Sequence, residues 1–143
     1  MKLGLEGKAY YNSGSYGSPT WGEITVARDV TLNLDTETAD ARTRANLLWG
    51  ADAVVKLAAS VDMDILWEPT NAVFAALLTA FLAGTGVEIL VLDGAVGTSG
   101  SRGLRATMCI GKFTRGEPLN GVMVASVSFR PTVATNNPAW YVV

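Results

Sequence analysis

Histidine is absent from this chain of 143 residues. That removes the commonest general base and the commonest metal ligand together, and it excludes serine–histidine and cysteine–histidine mechanisms. Cysteine occurs once, at Cys109, so no disulfide can form within the chain. A single unpaired thiol suits a reducing cytoplasm better than secretion. Charge is scarce: charged residues make up 17% against 49% hydrophobic, with a net charge of −2. This balance is globular, leaves neutral surface free for contacts between subunits, and lacks the basic excess of a phosphate-binding protein. Long apolar runs are missing too. The start Met1–Glu6 has no apolar stretch of the signal-peptide kind. The longest apolar segment, Ala72 to Ala83, is interrupted at Thr79 and falls far short of the ~20 residues that cross a bilayer, so no membrane partner is expected. Neither a repeat nor a linker divides the chain, and a single domain over 1–143 can bury an ordinary core.

What is present is mainly strand pattern. The run Val30 to Arg44 is the most informative: it alternates cleanly through Leu34 and then turns threonine-rich and charged, with no catalytic motif and no helix pattern behind it. Leu3–Tyr11 reads as a first strand, Asn12–Pro19 as a turn cluster, and Trp21–Leu34 as a strand or hairpin partner. A polar loop is expected from Asp35 to about Asn46, followed by an apolar island at Leu47-Leu48-Trp49-Gly50. Ala53–Ala58 and Ser60–Glu68 read as two strands. In the second, Val61, Met63, Ile65 and Trp67 alternate with Asp62, Asp64, Leu66 and Glu68. After Pro69, Thr70 or Asn71 can cap a helix carrying Val73, Phe74, Leu77, Leu78, Phe81 and Leu82 on one face and ending at Gly84. Val87–Leu92, Leu104–Arg115 and Val122–Arg130 complete the strands, with a mobile glycine- and serine-rich loop at Asp93–Gly103 and an irregular tail over about 132–143. The fold class is mainly β with one helix: an antiparallel sandwich or barrel flanked by an α-helix.

The residues that could carry chemistry have plainer readings beside them. Asp62, Asp64 and Glu68 could make a hard-cation site or an acid/base pair, since residues two apart on a strand are ~6.5 Å apart. A flat strand does not wrap an ion, however, and a solvated or lumen-facing acidic face fits better. Gly94–Ser101 resembles a phosphate loop but leads into a strand and lacks lysine, so a hairpin tip fits better. Arg42, Arg44, Arg102 and Arg105 are scattered, and Asp35, Glu37 and Asp40 lie near the first two; intersubunit salt bridges or solvation are favoured over nucleic-acid contacts. Cys109 has no base to activate it and reads as structural. Trp67 reads as core, whereas Trp49 and Trp140 lie in irregular segments where aromatic interface anchors are found. No enzyme, cofactor or metal is expected.

The chain resembles the major tail tube proteins of long-tailed bacteriophages. The resemblance lies in Gly4–Tyr11, in Val30–Arg44, in Trp67-Glu68-Pro69 entering a helix that ends near Gly84, and in Lys112–Leu119 leading to Val124–Pro131. Their order and spacing cover most of the chain. The resemblance implies a structural virion protein whose hexameric rings stack into a hollow tube, with sheets of neighbouring subunits joined into an inner wall and DNA passing through the lumen without specific binding. It also implies tape measure, tail terminator and tip proteins as partners, and assembly in the host bacterial cytoplasm. Asp29, Asp62, Asp64 and Glu68 become candidate lumen residues. Asp35, Glu37, Asp40, Arg42, Arg44 and Trp49 fall in a candidate intersubunit loop over about 35–50 that should order on assembly. The alternatives are an inner-tube subunit of a contractile injection or secretion apparatus, a β-barrel binding a small apolar ligand under a helical lid, and a cation-dependent hydrolase using Asp62 and Asp64.

Overall fold

Alternation in Val61–Ile65 decides which side of the sheet is core. Val61, Met63 and Ile65 are fully buried, while Asp62 and Asp64 lie on the opposite side. The computed structural model describes residues 1–46 and 49–143; Leu47 and Leu48 of the apolar island lie outside them. After a short 3₁₀ turn at Gly4–Glu6 come β1 (Lys8–Asn12), β2 (Trp21–Glu23), β3 (Ala27–Asp40), β4 (Asp52–Leu66), α1 (Ala72–Ala83), β5 (Val87–Leu92), β6 (Arg102–Gly116), β7 (Val124–Pro131) and β8 (Ala139–Val142). A second 3₁₀ turn, Arg44–Asn46, lies between β3 and β4. All pairings are antiparallel, in the order β2-β1-β5-β6-β7-β4-β3, and β8 pairs with the start of β6 beyond the end of β7.

The sheet curls on itself. The segment between β2 and β3 touches both ends of the strand order: Ile24 N–H donates to the Ala9 carbonyl (2.9 Å) and Leu66 N–H donates to the Val26 carbonyl (2.9 Å). Ala9, Ile24 and Val26 therefore share one core with Val61, Ile65, Val127 and Phe129 from the far strands. The helix closes the open end. Asn71 caps it by accepting from Phe74 N–H at 3.0 Å, and Gly84 ends it with φ 69°, a conformation that suits glycine. Phe74 and Leu77 are fully buried, and Trp67, Phe74 and Phe113 meet edge to face at 5.0 to 6.2 Å. Leu82, expected on the packed face, is 75% exposed, and Ala80 is buried instead. The helix is apolar on every side, so its sequence does not single out one face.

A second, smaller core lies behind β1, β5 and β6: Tyr10, Leu90 and Leu92 pack with Trp21, Val96, Tyr141 and Val143. Its centre is a buried ion pair. Arg105 bonds Glu88 through Nε, donates to the Tyr16 carbonyl at 2.6 Å and stacks on the Tyr16 ring at 3.9 Å. Asn12 donates to Glu88 (2.7 Å) and accepts from Gly14 and Thr20 N–H, which ties down the turn cluster. Arg105 is thus an internal strut rather than a solvated or intersubunit arginine. At Gly103 any Cβ would collide with the Val91 carbonyl, so β5 and β6 approach closely only because that position is glycine.

Several boundaries differ from the sequence pattern. The first strand starts at Lys8, after the 3₁₀ turn. Trp21–Leu34 is broken into β2 and β3 by the buried crossover at Ile24–Val26. The segments 53–58 and 60–68 are one strand, β4, which stops at Leu66. The tail contains β8, because the edge of β6 at Arg102–Arg105 is left open by β7 and takes a short strand.

Candidate functional site: a polar sheet face and a projecting arm

Four adjacent strands present one largely polar face. Cross-strand register puts Asp29 opposite Asp64, Thr31 opposite Asp62, Asn33 opposite Ser60, Asp35 opposite Ala58 and Glu37 opposite Lys56. Across β7, Asp62 lies opposite Ser128 and Asp64 opposite Ser126; across β6, Lys112 lies opposite Ser128 and Thr114 opposite Ser126. Directly opposed residues share a face, so all of these, with Arg130, point away from the core. The face carries no aromatic ring and more acids than bases.

Its carboxylates are held as acceptors. Ser128 Oγ donates to Asp62 Oδ1 at 2.7 Å, Asn33 Nδ2 donates to Asp62 Oδ2 at 3.0 Å, and Ser126 Oγ donates to Asp64 Oδ1 at 2.8 Å. The structure brings Asp29, Asp62 and Asp64 together on this face. Glu68 does not join them. It lies exposed beyond the end of β4, in the turn before α1, because the backbone leaves the sheet after Leu66. The hydrolase reading gains nothing here, since three of the four oxygens of Asp62 and Asp64 are taken up by hydroxyl and amide donors. The ligand-barrel reading fares no better: the interior is filled by Ile65, Phe74, Leu77 and Phe129, all fully buried.

The expected loop from Asp35 is largely a strand. β3 continues paired with β4 out to Asp40↔Asp52, with a bulge between Glu37 and Thr38. Residues 35–40 and 52–58 are exposed on both sides, so this ribbon projects as an arm. Asp35 and Glu37 extend the polar face along one side. The other side continues the core pattern with no core beneath it: Leu34 is 59%, Val54 60% and Leu57 79% exposed. Toward the tip, Arg42 bonds Asp40 through Nε (3.0 Å) and a terminal nitrogen (2.8 Å), and Ala41 N–H donates to the Ala51 carbonyl at 2.7 Å. The Arg42 side-chain bond, with that of its own backbone N–H, holds the Asp40 carboxyl below its ordinary value. Arg44 lies in the second 3₁₀ turn, and Trp49 is 79% exposed.

Nothing in the sequence joins Thr31, Asn33, Ser126 and Ser128 to Asp62 and Asp64. Periodicity reveals the side of a strand, while register reveals its neighbours, and only the first is local. Lys112 was missed as a member of the face. The bulge between Ile110 and Lys112 resets the alternation of β6, and Gly111, the residue it leaves unpaired, is its one local sign in the sequence.

No protein-family model matches the chain, and no curated protein matches it in sequence. Solved structures do match. One is the tail of an empty gene transfer agent particle with C6 symmetry, with a TM-score of 0.72 at 15% identity over 100% of this chain and 99% of that one. Another is the SPP1 tail tube, with a TM-score of 0.73 at 11% identity over 91% and 75%. The anti-feeding prophage baseplate is also similar, with a TM-score of 0.61 at 8% identity over 96% and 91%. The antiparallel sheet with its single helix is the fold of these tail and tube proteins.

Proposed function

We propose that this chain, having the tail-tube fold, is the major subunit of a hollow phage-type tail tube. It is a structural virion protein without enzymatic activity. Copies close into hexameric rings, the rings stack, and DNA travels through the lumen. The observation that carries this reading is the polar face of β3, β4, β7 and β6, continued by the arm. A face of hydroxyls and amides whose carboxylates outnumber Lys56, Lys112 and Arg130 is net negative, repels phosphate and offers bases no ring to stack on, so a duplex can slide along it. Four wall strands from each of six copies give about 24 strands, and at ~4.8 Å per strand their backbones form a ring roughly 37 Å across. That leaves room for duplex DNA inside the side chains.

The arm supports the same reading. An isolated two-stranded ribbon is marginal in water, and this one exposes a leucine- and valine-bearing side that gains by lying on another copy. Copies in adjacent rings are the partners that its length and direction suit. Tape measure, tail terminator and tip proteins would complete the assembly, which would be built in the host bacterial cytoplasm and remain in the virion tail. The contractile-apparatus alternative draws on the weaker likeness to the anti-feeding prophage baseplate and on no separate feature of this chain. Electron microscopy of the purified protein at rising concentration tests the proposal. Rings or tubes are expected, and a protein that stays monomeric throughout would end the tube reading.

A further inference from the structure

The two poles of the polar wall differ in shape. At the arm pole, β8 and the root of the arm leave an open groove of about 560 Å³ whose lining includes Leu34, Leu57, Leu104, Pro138 and Trp140. Leu57 is 79% and Trp140 57% exposed within it. At the other pole, Val124 pairs with both Gly116 and Leu66, so the β6–β7 turn projects from the end of the wall farthest from the arm. That turn carries Leu119, 97% exposed, and Val122, 61% exposed.

We infer that the groove of one copy receives the β6–β7 turn of a second copy in the next ring, with Leu119 as the inserted knob. The inference rests on the tube reading and names the joint between its rings. A knob at one pole and a groove at the other make a head-to-tail contact that repeats along one axis instead of closing on itself. The joint is also continuous with the wall: the inner lip of the groove is the arm, whose polar side extends the polar face, so seating the turn brings the walls of successive rings edge to edge.

The test uses the full chain under conditions in which the wild type assembles. Leu119→Asp removes the knob without touching a buried contact, and circular dichroism should show an unchanged fold. Burying one leucine is worth about tenfold per contact, and the contact recurs in every copy, so the variant should give single rings or tubes at least roughly tenfold shorter. In a Cys109→Ser background, Leu57→Cys with Leu119→Cys should form disulfide ladders between copies on oxidation, whereas each single cysteine should not. Wild-type tubes with normal L119D tubes, or with no ladder from the paired cysteines, overturn the joint and leave the tube reading intact. A wild type that forms neither rings nor tubes overturns both.

Discussion

At the residue scale, most of the charge in this protein is solvated, and Arg105 is the exception. Its side chain is 10% exposed, as is that of Glu88, and the bond between them joins β5 and β6 to the turn at Tyr16. Removing one member of a buried pair strands the other, which costs about 3 kcal/mol or more. Arg105→Met should therefore lower the melting temperature by roughly 6–12 °C for a domain of this size. Arg105→Met with Glu88→Gln should recover part of the loss, because the uncompensated carboxylate is gone. Thermal unfolding followed by circular dichroism decides this; a double variant no better than the single one would remove the ion pair as the cause. Asp40 and Arg42 make the contrasting case, a pair wholly in solvent. The Asp40 carboxyl should titrate below its ordinary 3.8, and Arg42→Ala should return it there. A carboxyl whose pKa is depressed on folding favours the folded tip above its ordinary value and ceases to as pH falls through the lowered one. Carbon-detected NMR of the Asp40 carboxyl reads both values, and an unchanged titration in Arg42→Ala would mean that the contact is not populated in solution.

At the element scale, the helix and the core strands were legible and the arm was not. Asn71, Gly84 and the apolar positions between them mark α1 because caps and periodicity are local chemistry. Val87–Leu92 is legible for the same reason. Asp35–Asp40 looks like loop because a strand exposed on both sides has no buried face to write a period into its sequence. What makes it a strand is Asp52–Ala58, a dozen or more residues away in the chain. Glu68 was misplaced by the opposite error: the alternation runs past Leu66 in sequence after the backbone has left the sheet. The arm also has a dynamic consequence. In the free subunit its ladder is shielded on neither side, so amides of residues 35–40 and 52–58 should exchange with solvent much faster than those of Val61–Ile65. In the assembled tube the arm amides should slow markedly while the core changes little. Hydrogen exchange by mass spectrometry on both forms measures this. Equal protection of the arm in both would mean that no neighbour covers it.

At the scale of the whole molecule, the polar face matters through its summed charge rather than through any one group. Asp62 and Asp64 lie at its centre, bonded among the described residues to Ser126, Ser128 and Asn33. Replacing them leaves those exposed donors to water, so folding should shift by no more than about 0.5 kcal/mol. Asp62→Lys with Asp64→Lys turns two negative charges into positive ones in every copy, and six copies in each ring of a stacked tube would line the lumen with cations. Tubes should still assemble, and DNA should pass more slowly because phosphates now find counter-charges along the wall. The slowing should weaken as ionic strength rises toward 1 M, where the Debye length drops to ~3 Å. Asp62→Asn with Asp64→Asn, which removes charge without reversing it, should be intermediate. Particles carrying each variant can be followed by the release of a DNA-bound dye on triggered ejection. A defect in assembly instead of ejection would place these aspartates in a subunit interface and move the lumen to another face of the sheet. Normal assembly with ejection unchanged at low salt would show that DNA does not pass along this face.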